Sequence, residues 1–430
     1  MFHFLFQRFM NLRHRSCKPK IFSSSKHGFS KNDFPLNVLE IIRTLHENGH
    51  KAFVVGGAVR DLLINKVPKD FDIATSAHPE DVVKLFHRAK IIGRRFRIVH
   101  VYSRRDYVEV TTFRGRNLET RHKDSFGRIL EDNLYGTQFE DAKRRDFTIN
   151  AIYYNPFSEE LIDYSGGIFD ISKRVIRMLG DPNERFREDP VRILRAIRFS
   201  KKLSFSLDYS LVEAIYRHSA LLNNVPTARL FDELIKILLS GHSLSSIREF
   251  KRLGINDHTI PLLDLLYNHI DDPFVQSSLE KTDCRVSKGQ SVSVIFLFAT
   301  ILWPLVRKGW YDHRVSGISQ HHALLKAMSE VTQSIIRDYD LPKRILVSVR
   351  EIWMMQSRFE NTSVSRATRF ISHNRFRLGY DFMLLRTEVG EVNSEISFWW
   401  KNFLSDSPSR PSPSSRLSRR TPHRGKKVPY

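Results

Sequence analysis

Two patterns of hydrophobic and polar positions divide the chain into successive parts. From about residue 51 to residue 163, short apolar runs such as AFVV, FRIVHVY and YVEVTTF alternate with turn residues and amphipathic stretches such as PEDVVKLFHRA. Strand-length runs interleaved with helical stretches are typical of α/β or α+β domains. From about residue 189 to residue 406, apolar positions recur at helical spacing, which predicts an all-helical part beyond a turn at residues 180–182.

The most apolar segment, SVSVIFLFATILWPLV at 291–306, is the one candidate for a membrane span. Ser291, Ser293 and Thr300 interrupt it, and the charges of Lys288 and Arg307 enclose it before the roughly 20 apolar residues that a span needs. The sequence therefore predicts a buried helix here and no integral membrane segment.

The charge balance points to an anionic partner. The chain has 69 Lys and Arg against 47 Asp and Glu, a formal net charge of +22, and its 41% hydrophobic content excludes wholesale disorder. Residues 1–32 and residues 407–430 each contain seven Lys or Arg and no acid, so both ends are cationic arms. Nucleic acid is the first candidate partner, and an anionic lipid surface touched peripherally by the arms is the second.

The two arms differ in composition. The N-terminal arm is rich in Phe, Arg and Ser and has no small-residue cleavage site, which favours a loosely ordered basic segment; a mitochondrial transit peptide is the alternative. The C-terminal arm has six Ser and five Pro among 24 residues and is predicted to be disordered. Two cysteines, Cys17 and Cys284, form no disulfide framework and indicate a reducing compartment, hence a cytoplasmic location.

Candidate chemistry begins with a glycine pair and two aspartates. Gly56 and Gly57 follow an apolar run and open a helical pattern, where backbone N–H groups can approach a phosphate. Asp70 and Asp72 stand two positions apart, so a strand would place both carboxylates on one face. Mutual repulsion of the pair is relieved by a hard cation such as Mg²⁺. A solvated strand edge is the alternative for such a pair.

Two further segments extend this set. Glu109 alternates with apolar neighbours in DYVEVTTF and is a third metal carboxylate or a solvated strand residue. Arg144, Arg145 and Asp146 close a helical stretch before a predicted strand at 148–154. Paired arginines suit bidentate contacts to a triphosphate, whereas a helix-terminal ion pair is the plainer alternative.

A helix with an arginine stripe follows at residue 189. Asp189 suits its N-cap and Pro190 its first position, and Arg192, Arg195 and Arg198 recur every three residues. A carboxylate and a guanidinium can each pair with the edge of a nucleobase. A capped helix with a solvated basic face is the alternative.

These segments together resemble the ordered motifs of class II nucleotidyltransferases, which join tRNA CCA-adding enzymes and bacterial poly(A) polymerases within the DNA polymerase beta superfamily. The match covers residues 50–240 in four motifs: GGAVRD at 56–61, KDFD at 69–72, RRDFTINA at 144–151 and EDPVRILRA at 188–196. The resemblance implies an α+β fold: a polymerase-beta-like head with a mixed sheet and helices, then an all-α neck and body with disordered basic tails. The expected parts are an arm at 1–32, head at 33–180, neck at 181–245, body at 246–406 and tail at 407–430.

Other segments are similar to the poly(A) polymerase branch of this family. They are the stretch 91–98, the long polar region from Arg116 to Gln138, PTARLFDELIKILLSGH at 226–242, the pair Trp399 and Trp400, and the basic tail. The sequence has no His-Asp dipeptide of the kind that a fused phosphohydrolase domain carries. The tail has fewer charge blocks than a dedicated RNA-binding domain.

The resemblance implies template-independent addition of AMP from ATP to RNA 3′ ends, with pyrophosphate released and RNA decay promoted through the RNA-decay machinery. Asp70 and Asp72 would bind two Mg²⁺ ions, with Mn²⁺ as a substitute, and Asp146 and Glu109 would support that site. The implied nucleotide contacts are Gly56, Gly57, Arg60, Arg145, Asp189, Arg192 and Arg195. CCA addition to tRNA is the alternative within the class, and a non-catalytic RNA-binding protein is the alternative outside it.

Overall fold

The computed structural model describes residues 18–93, 97–103, 106–115, 134–255, 261–339, 341 and 343–406. Both basic arms, apart from residues 18–32, lie outside these ranges. So do residues 94–96 of the 91–98 stretch and residues 116–133 of the long polar region. The predictions made for those segments therefore stay predictions.

A mixed eight-stranded sheet organises the N-terminal part. Its strands are β1 (Lys20–Phe22), β2 (Ala52–Val55), β3 (Asp72–Thr75), β4 (Ala89–Ile92), β5 (Ile98–Ser103), β6 (Asp106–Thr112), β7 (Ile152–Asn155) and β8 (Glu160–Asp163). They run in the order β1-β8-β7-β2-β3-β6-β5-β4. Neighbouring strands are antiparallel except β3 and β6, which are parallel. Two short strands, β9 (Val175–Ile176) and β10 (Ser206–Leu207), pair in parallel with each other.

Helices connect these strands and then dominate the chain. Those up to residue 188 are α1 (Ser24–His27), α2 (Leu36–Glu47), α3 (Gly57–Leu63), α4 (Pro79–Leu85), α5 (Gln138–Arg144), α6 (Gly167–Ser172) and α7 (Pro182–Glu188). They continue with α8 (Val191–Leu203), α9 (Tyr209–His218), α10 (Thr227–Leu238), α11 (Ser243–Arg252), α12 (Pro261–His269) and α13 (Pro273–Ser287). The last are α14 (Val294–Ile301), α15 (Trp303–Val315), α16 (Gln320–Tyr339), α17 (Lys343–Phe359), α18 (Val364–Phe370), α19 (Phe376–Glu388) and α20 (Ser394–Asp406). The predicted α+β fold is confirmed.

The sheet has an apolar core on each face near its centre. On one face, Phe53 of β2 and Ala74 of β3 pack with Tyr153 of β7 and Ala142 of α5. The opposite face buries alternate residues of β5 and β6, namely Val99, Val101, Val108 and Val110, toward the side of α4. This period-two burial is the pattern expected of strands with one face on a core.

The described residues form two compact units. One contains the residues up to Ile270 and Leu279–Val292, and the other contains Asp271–Ser278 and the residues from Ser293. In the second unit, Trp400 packs with Phe359 and Phe370, and its indole Nε1 donates a 2.8 Å hydrogen bond to the Phe359 carbonyl. The tryptophan at position 400 is therefore a core residue. The predicted limits of head, neck and body remain predictions.

The predicted strand at 148–154 is wrong in its first half. Residues Thr148–Asn150 form a 3₁₀ turn, and β7 starts at Ile152. The Thr148 hydroxyl donates to Asp170 (2.6 Å), and the Asn150 amide donates to Asp146 (3.1 Å). The bond between Asn150 and Asp146 is local, and side-chain hydrogen bonds of this kind compete with a strand ladder and favour a turn.

The apolar segment at 291–306 is buried as predicted but forms two helices rather than one. Ser293 caps α14, and α15 begins at Trp303 with Pro304 in its first turn. Among the described residues, no single helix is long and apolar enough to cross a membrane; α14 and α15 satisfy length and composition only together, across a 47° bend. Proline in a first helical turn is tolerated because that N–H has no helical acceptor.

Candidate active site

Asp72 is the first residue of β3 and lies in register with Glu109 of the parallel strand β6. Burial first of all, and next the charge of Glu109, raise the pKa of Asp72 from 3.8 to about 6. Asp70 adds to this rise, whereas Arg145 opposes it. The structure thus brings both Asp70 and Glu109 within electrostatic reach of Asp72.

Asp70 and Asp72 do not share one strand face as predicted, because β3 begins at Asp72. Asp70 is exposed in the irregular segment that precedes the strand. Its charge acts on Asp72 because it stands two residues before the start of β3.

Gly56 lies at the same end of the sheet, directly after β2. A Cβ atom there would be 3.7 Å from Asp72 Oδ2 and 3.7 Å from Arg145 Nη1. Its φ of 80° and ψ of −131° lie in a region that residues with a side chain rarely adopt, so glycine is required. Gly56, Asp72 and Arg145 therefore form one cluster. Gly57 begins α3, and a Cβ atom there would be 3.6 Å from Arg60 Nη2.

Arg145 follows the last residue of α5, and its guanidinium is hydrogen-bonded to Asp141 and Tyr153. Its Nη2 and Nε donate to Asp141 Oδ2 (3.0 and 3.1 Å), and Nε also donates to the Tyr153 hydroxyl (3.2 Å). The Tyr153 hydroxyl donates to the same Asp141 oxygen at 2.6 Å. Burial disfavours the cation, yet Asp141 and Tyr153 keep the pKa of Arg145 above its usual range. Asp141 and Tyr153 were missed from the sequence, although Asp141 stands one helical turn before Arg145.

Asp146 contacts the helix α8 rather than the carboxylates around Asp72. Its Oδ1 accepts from the Phe147 N–H (2.8 Å) and the Asn150 amide (3.1 Å), and its Oδ2 accepts from Arg195 Nη2. Burial raises the pKa of Asp146, but Arg195 and these donors outweigh it and lower the value to about 2. The ionised form of Asp146 is therefore favoured, and its carboxylate is linked to α8.

Arg60 belongs to the same chain of contacts. It is buried, its Nη1 donates to Asn150 Oδ1 (2.7 Å), and its Nε and Nη2 donate to Asp61 (2.9 and 2.6 Å). Because Asn150 also donates to Asp146, the links run from α3 to α8. Three N–H groups of the Arg60 guanidinium thus donate to side chains of the protein. The contact between Arg60 and a nucleotide stays a prediction.

The three arginines of α8, Arg192, Arg195 and Arg198, each form an ion pair. The alternative prediction of a solvated basic face on this helix is therefore wrong. Arg192 donates to the Arg185 carbonyl (2.8 Å) and pairs with Glu188 (3.2 Å). Arg198 pairs with the buried Glu233 at 2.7 Å. The carboxylates that pair with Arg192 and Arg198 lie on α7 and α10. The spacing of residues within α8 could not reveal them.

Asp189 does not have the predicted N-cap role. The N-cap of α8 is Pro190, whose side chain accepts no hydrogen bond, and the Asp189 carboxylate accepts from Arg229 Nη2 of α10 (3.1 and 3.2 Å). Within the described chain, Arg195 Nε and Arg229 Nη1 are buried donors without a hydrogen-bond partner. Buried N–H donors generally have an acceptor, so both atoms are suited to a bound nucleotide.

The carboxylates suit a magnesium ion whose remaining ligands come from the substrate. Within the described ranges, no three His, Cys, Asp or Glu side chains are grouped so as to hold a metal by themselves. Mg²⁺ in nucleotide sites is commonly bound by one or two carboxylates together with substrate phosphates. Burial is the main cause of the raised pKa of Asp72, and the charges of Glu109 and Asp70 add to it; a bound cation would offset all three by favouring the ionised carboxylate.

Three family profiles match the chain in succession. The profile of the poly A polymerase head domain matches residues 52–177, and that of a probable RNA and SrmB-binding site of polymerase A matches residues 204–266. The profile of the polymerase A arginine-rich C-terminus matches residues 316–428.

Individual proteins match as well. Poly(A) polymerase I of Escherichia coli is 37% identical over 397 residues, covering 89% of this chain and 85% of that protein. The CCA-adding enzyme of Anoxybacillus flavithermus is 43% identical over 201 residues, which is 47% of this chain and 49% of that protein. The crystal structure of the Bacillus stearothermophilus CCA-adding enzyme in complex with CTP has a TM-score of 0.56 at 25% identity, covering 86% of this chain and 80% of that one.

The sheet, its clustered carboxylates and the matching head profile define a nucleotidyltransferase. This class was predicted, and its enzymatic nature is confirmed. The chain belongs to the bacterial poly(A) polymerase family, because its similarity to that branch extends over nearly its whole length.

Proposed function

We propose that this protein adds AMP from ATP to RNA 3′ ends without a template. The observation that carries the proposal is the cluster of Asp72, Glu109, Gly56 and Arg145 at one end of the central strands. In the reaction, the RNA 3′ oxygen forms a bond to the α-phosphorus of ATP. The bond from that phosphorus to the bridging oxygen breaks, pyrophosphate leaves, and the hydroxyl proton passes to solvent.

In this mechanism Asp70, Asp72 and Glu109 would hold Mg²⁺ together with the phosphates of the substrate. When bound, the metal supplies a lowered pKa for the 3′ hydroxyl and neutralises triphosphate charge. Arg145, fixed by Asp141 and Tyr153, contacts the triphosphate, and Gly56 lets the phosphate approach the backbone. The residues around Arg145 position its guanidinium before the substrate arrives, which reduces the entropic cost of the reaction.

The neck supplies the groups that contact the base. Asp189 and Arg192 are proposed to contact the adenine edge, and Arg195 is proposed to contact the nucleotide beside Asp146. The ion pairs of Asp189 with Arg229 and of Arg192 with Glu188 hold both side chains in place. The unpartnered donors Arg195 Nε and Arg229 Nη1 support this assignment within the described chain.

The direct test is incubation of purified protein with Mg²⁺, an unstructured RNA or a tRNA lacking its 3′ end, and each nucleoside triphosphate separately. Long tails on both RNAs with ATP alone are expected. A stop after three added nucleotides, seen on tRNA only, would instead establish CCA addition. No extension of either RNA would favour a non-catalytic RNA-binding protein.

In the same assay, Asp189→Ala and Arg192→Ala are expected to lower the ratio of ATP to CTP incorporation about tenfold, because each removes a paired contact to the base worth about 1–3 kcal/mol. Arg187→Ala on the exposed side of α7 is the matched control. An unchanged ratio in both variants would assign Asp189 and Arg192 to structure alone.

Magnesium is expected to stabilise the folded protein more above pH 6 than below it. Because its pKa is raised, the Asp72 carboxyl binds a proton more tightly in the folded protein than in the unfolded chain. The metal-free protein therefore loses stability as the pH rises from 3.8 to about 6. Mg²⁺ requires the ionised carboxylate and therefore competes with that proton. The measurement is Tm with Mg²⁺ or EDTA on either side of pH 6; the same pH dependence in Asp72→Asn would contradict the metal assignment.

We further propose that the enzyme works in the cytoplasm, in mRNA processing, and that its tails mark transcripts for the RNA-decay machinery. The net charge of +22 supports association with RNA. Longer transcript half-lives in cells lacking the enzyme are expected; unchanged half-lives would contradict the role in decay.

A further inference from the structure

Four residues form a straight row across the sheet, beginning at the candidate active site. Asp72 of β3 pairs in register with Glu109 of β6, Glu109 with His100 of β5, and His100 with Lys90 of β4. Residues paired in this way point to the same face, and neighbouring strands are about 4.8 Å apart. The row therefore extends about 14 Å from the candidate metal carboxylate and ends on an exposed lysine.

Three aromatic rings lie in or next to this row, and we call them the aromatic strip: His100, Tyr102 and Tyr107. Tyr102 pairs in register with Tyr107, two residues along from His100 and Glu109. The rings of His100 and Tyr107 are parallel, with centroids 4.1 Å apart and 12° between planes, and the ring of Tyr102 lies 5.9 Å from that of Tyr107. His100 Nε2 is 3.6 Å from Glu109 Oε1, so the strip adjoins the carboxylates directly.

The aromatic strip is not needed to cover the core. The valines of β5 and β6 fill the opposite face, whereas Tyr102 and Tyr107 are 40% and 45% exposed. Cross-strand aromatic pairs do contribute to sheet stability, and that is the plainer account of these rings. It does not explain why these exposed rings adjoin the row that joins Asp72 to Lys90.

We propose that the aromatic strip stacks the nucleobases of the RNA just upstream of its 3′ end. This inference rests on the proposed function, because the reacting 3′ end must lie at Asp72 and the preceding nucleotides must leave from there. Aromatic side chains on an open sheet face stack single-stranded bases without sequence preference, and Lys90 attracts the phosphate backbone. Stacking of this kind would therefore accept RNA 3′ ends of any sequence.

The test replaces both tyrosines by leucine, which keeps an apolar side chain on the strand and removes the stacking ring. We expect the KM for RNA to rise about tenfold or more, with kcat at saturating RNA and the KM for ATP unchanged. Tyr102→Phe with Tyr107→Phe should retain the wild-type KM, since the ring remains. Tyr311→Leu, at a 68% exposed tyrosine in the other unit, is the control.

A second readout needs no catalysis. An RNA with 2-aminopurine next to its 3′ nucleotide should lose fluorescence on binding the wild type without ATP, and lose much less on binding the leucine pair. Equal KM values or equal quenching in the leucine pair, with an unchanged Tm, would overturn the inference. If the wild type adds no nucleotide, the proposed function fails, while quenching still reports on the strip.

Discussion

Asp72→Asn is expected to abolish AMP addition while RNA binding survives. The variant keeps the shape of the side chain but removes the charge that would hold the metal between β3 and β6. Loss of a metal carboxylate should cost about 4 kcal/mol of transition-state stabilisation, on the order of a thousandfold in rate or more. Asp70→Ala should act in the same direction. The measurement is single-turnover extension at saturating RNA and ATP.

Asp81→Asn on α4 is the matched control, because this carboxylate is 39% exposed and pairs only at the surface with Lys84. It should leave the rate unchanged. The same variants should bind RNA as the wild type does, since their partners in the fold are unaltered. Near-wild-type tailing by Asp72→Asn would remove Asp72 from the metal site.

Asp146→Ala is expected to destabilise the protein by about 2 kcal/mol near neutral pH and to lower activity through α8. It leaves Arg195 without its carboxylate and removes an acceptor from Asn150 and the Phe147 N–H. The Arg195 side chain is 38% exposed, so the loss should be smaller than for a fully buried pair. Urea unfolding of wild type and variant measures the difference.

The difference between wild type and Asp146→Ala should depend on pH in a defined direction. The pKa of Asp146 is lowered from 3.8 to about 2, so the folded state favours the ionised carboxylate. Its stabilisation is complete above pH 3.8 and is lost as pH falls toward 2. A difference that stays constant over this interval would show that Asp146 stabilises the fold by its shape rather than its charge.

The sequence is informative where local pattern decides the structure. Short apolar runs located β2, β3, β5, β6 and most of β7 but not β1, β4 or β8, and helical spacing located the helices beyond residue 189. The prediction of a loosely ordered N-terminal arm is wrong for residues 20–27, because β1 pairs with β8 and α1 follows it. The motifs brought Gly56, Asp72, Glu109 and Arg145 into one hypothesis, and the structure places them together. Gly56 follows β2, Asp72 lies in β3 and Glu109 lies in β6, all strands that the pattern identified, whereas Arg145 follows the helix α5.

Residues that act through contacts distant in the sequence were not predictable in this way. Arg229 is 40 positions from the Asp189 that it pairs with, and Glu233 is 35 positions from Arg198. Nothing in the spacing of α8 distinguishes a solvated arginine from one that a later helix neutralises. The same holds for Asp146, whose contact with Arg195 spans 49 positions and depends on how the helix packs.

The place of β3 in the middle of the sheet has a consequence for how the molecule opens. Three strands lie beyond β2 on one side, and β6, β5 and β4 lie beyond β3 on the other. Amide hydrogens at the centre of a sheet exchange with solvent only in the largest unfolding events, whereas those of outer strands exchange in smaller ones. The carboxylate of Asp72 is therefore anchored to the most slowly exchanging backbone of the sheet. We expect amide hydrogens of β4, at the edge of the sheet, to exchange faster than those of β3.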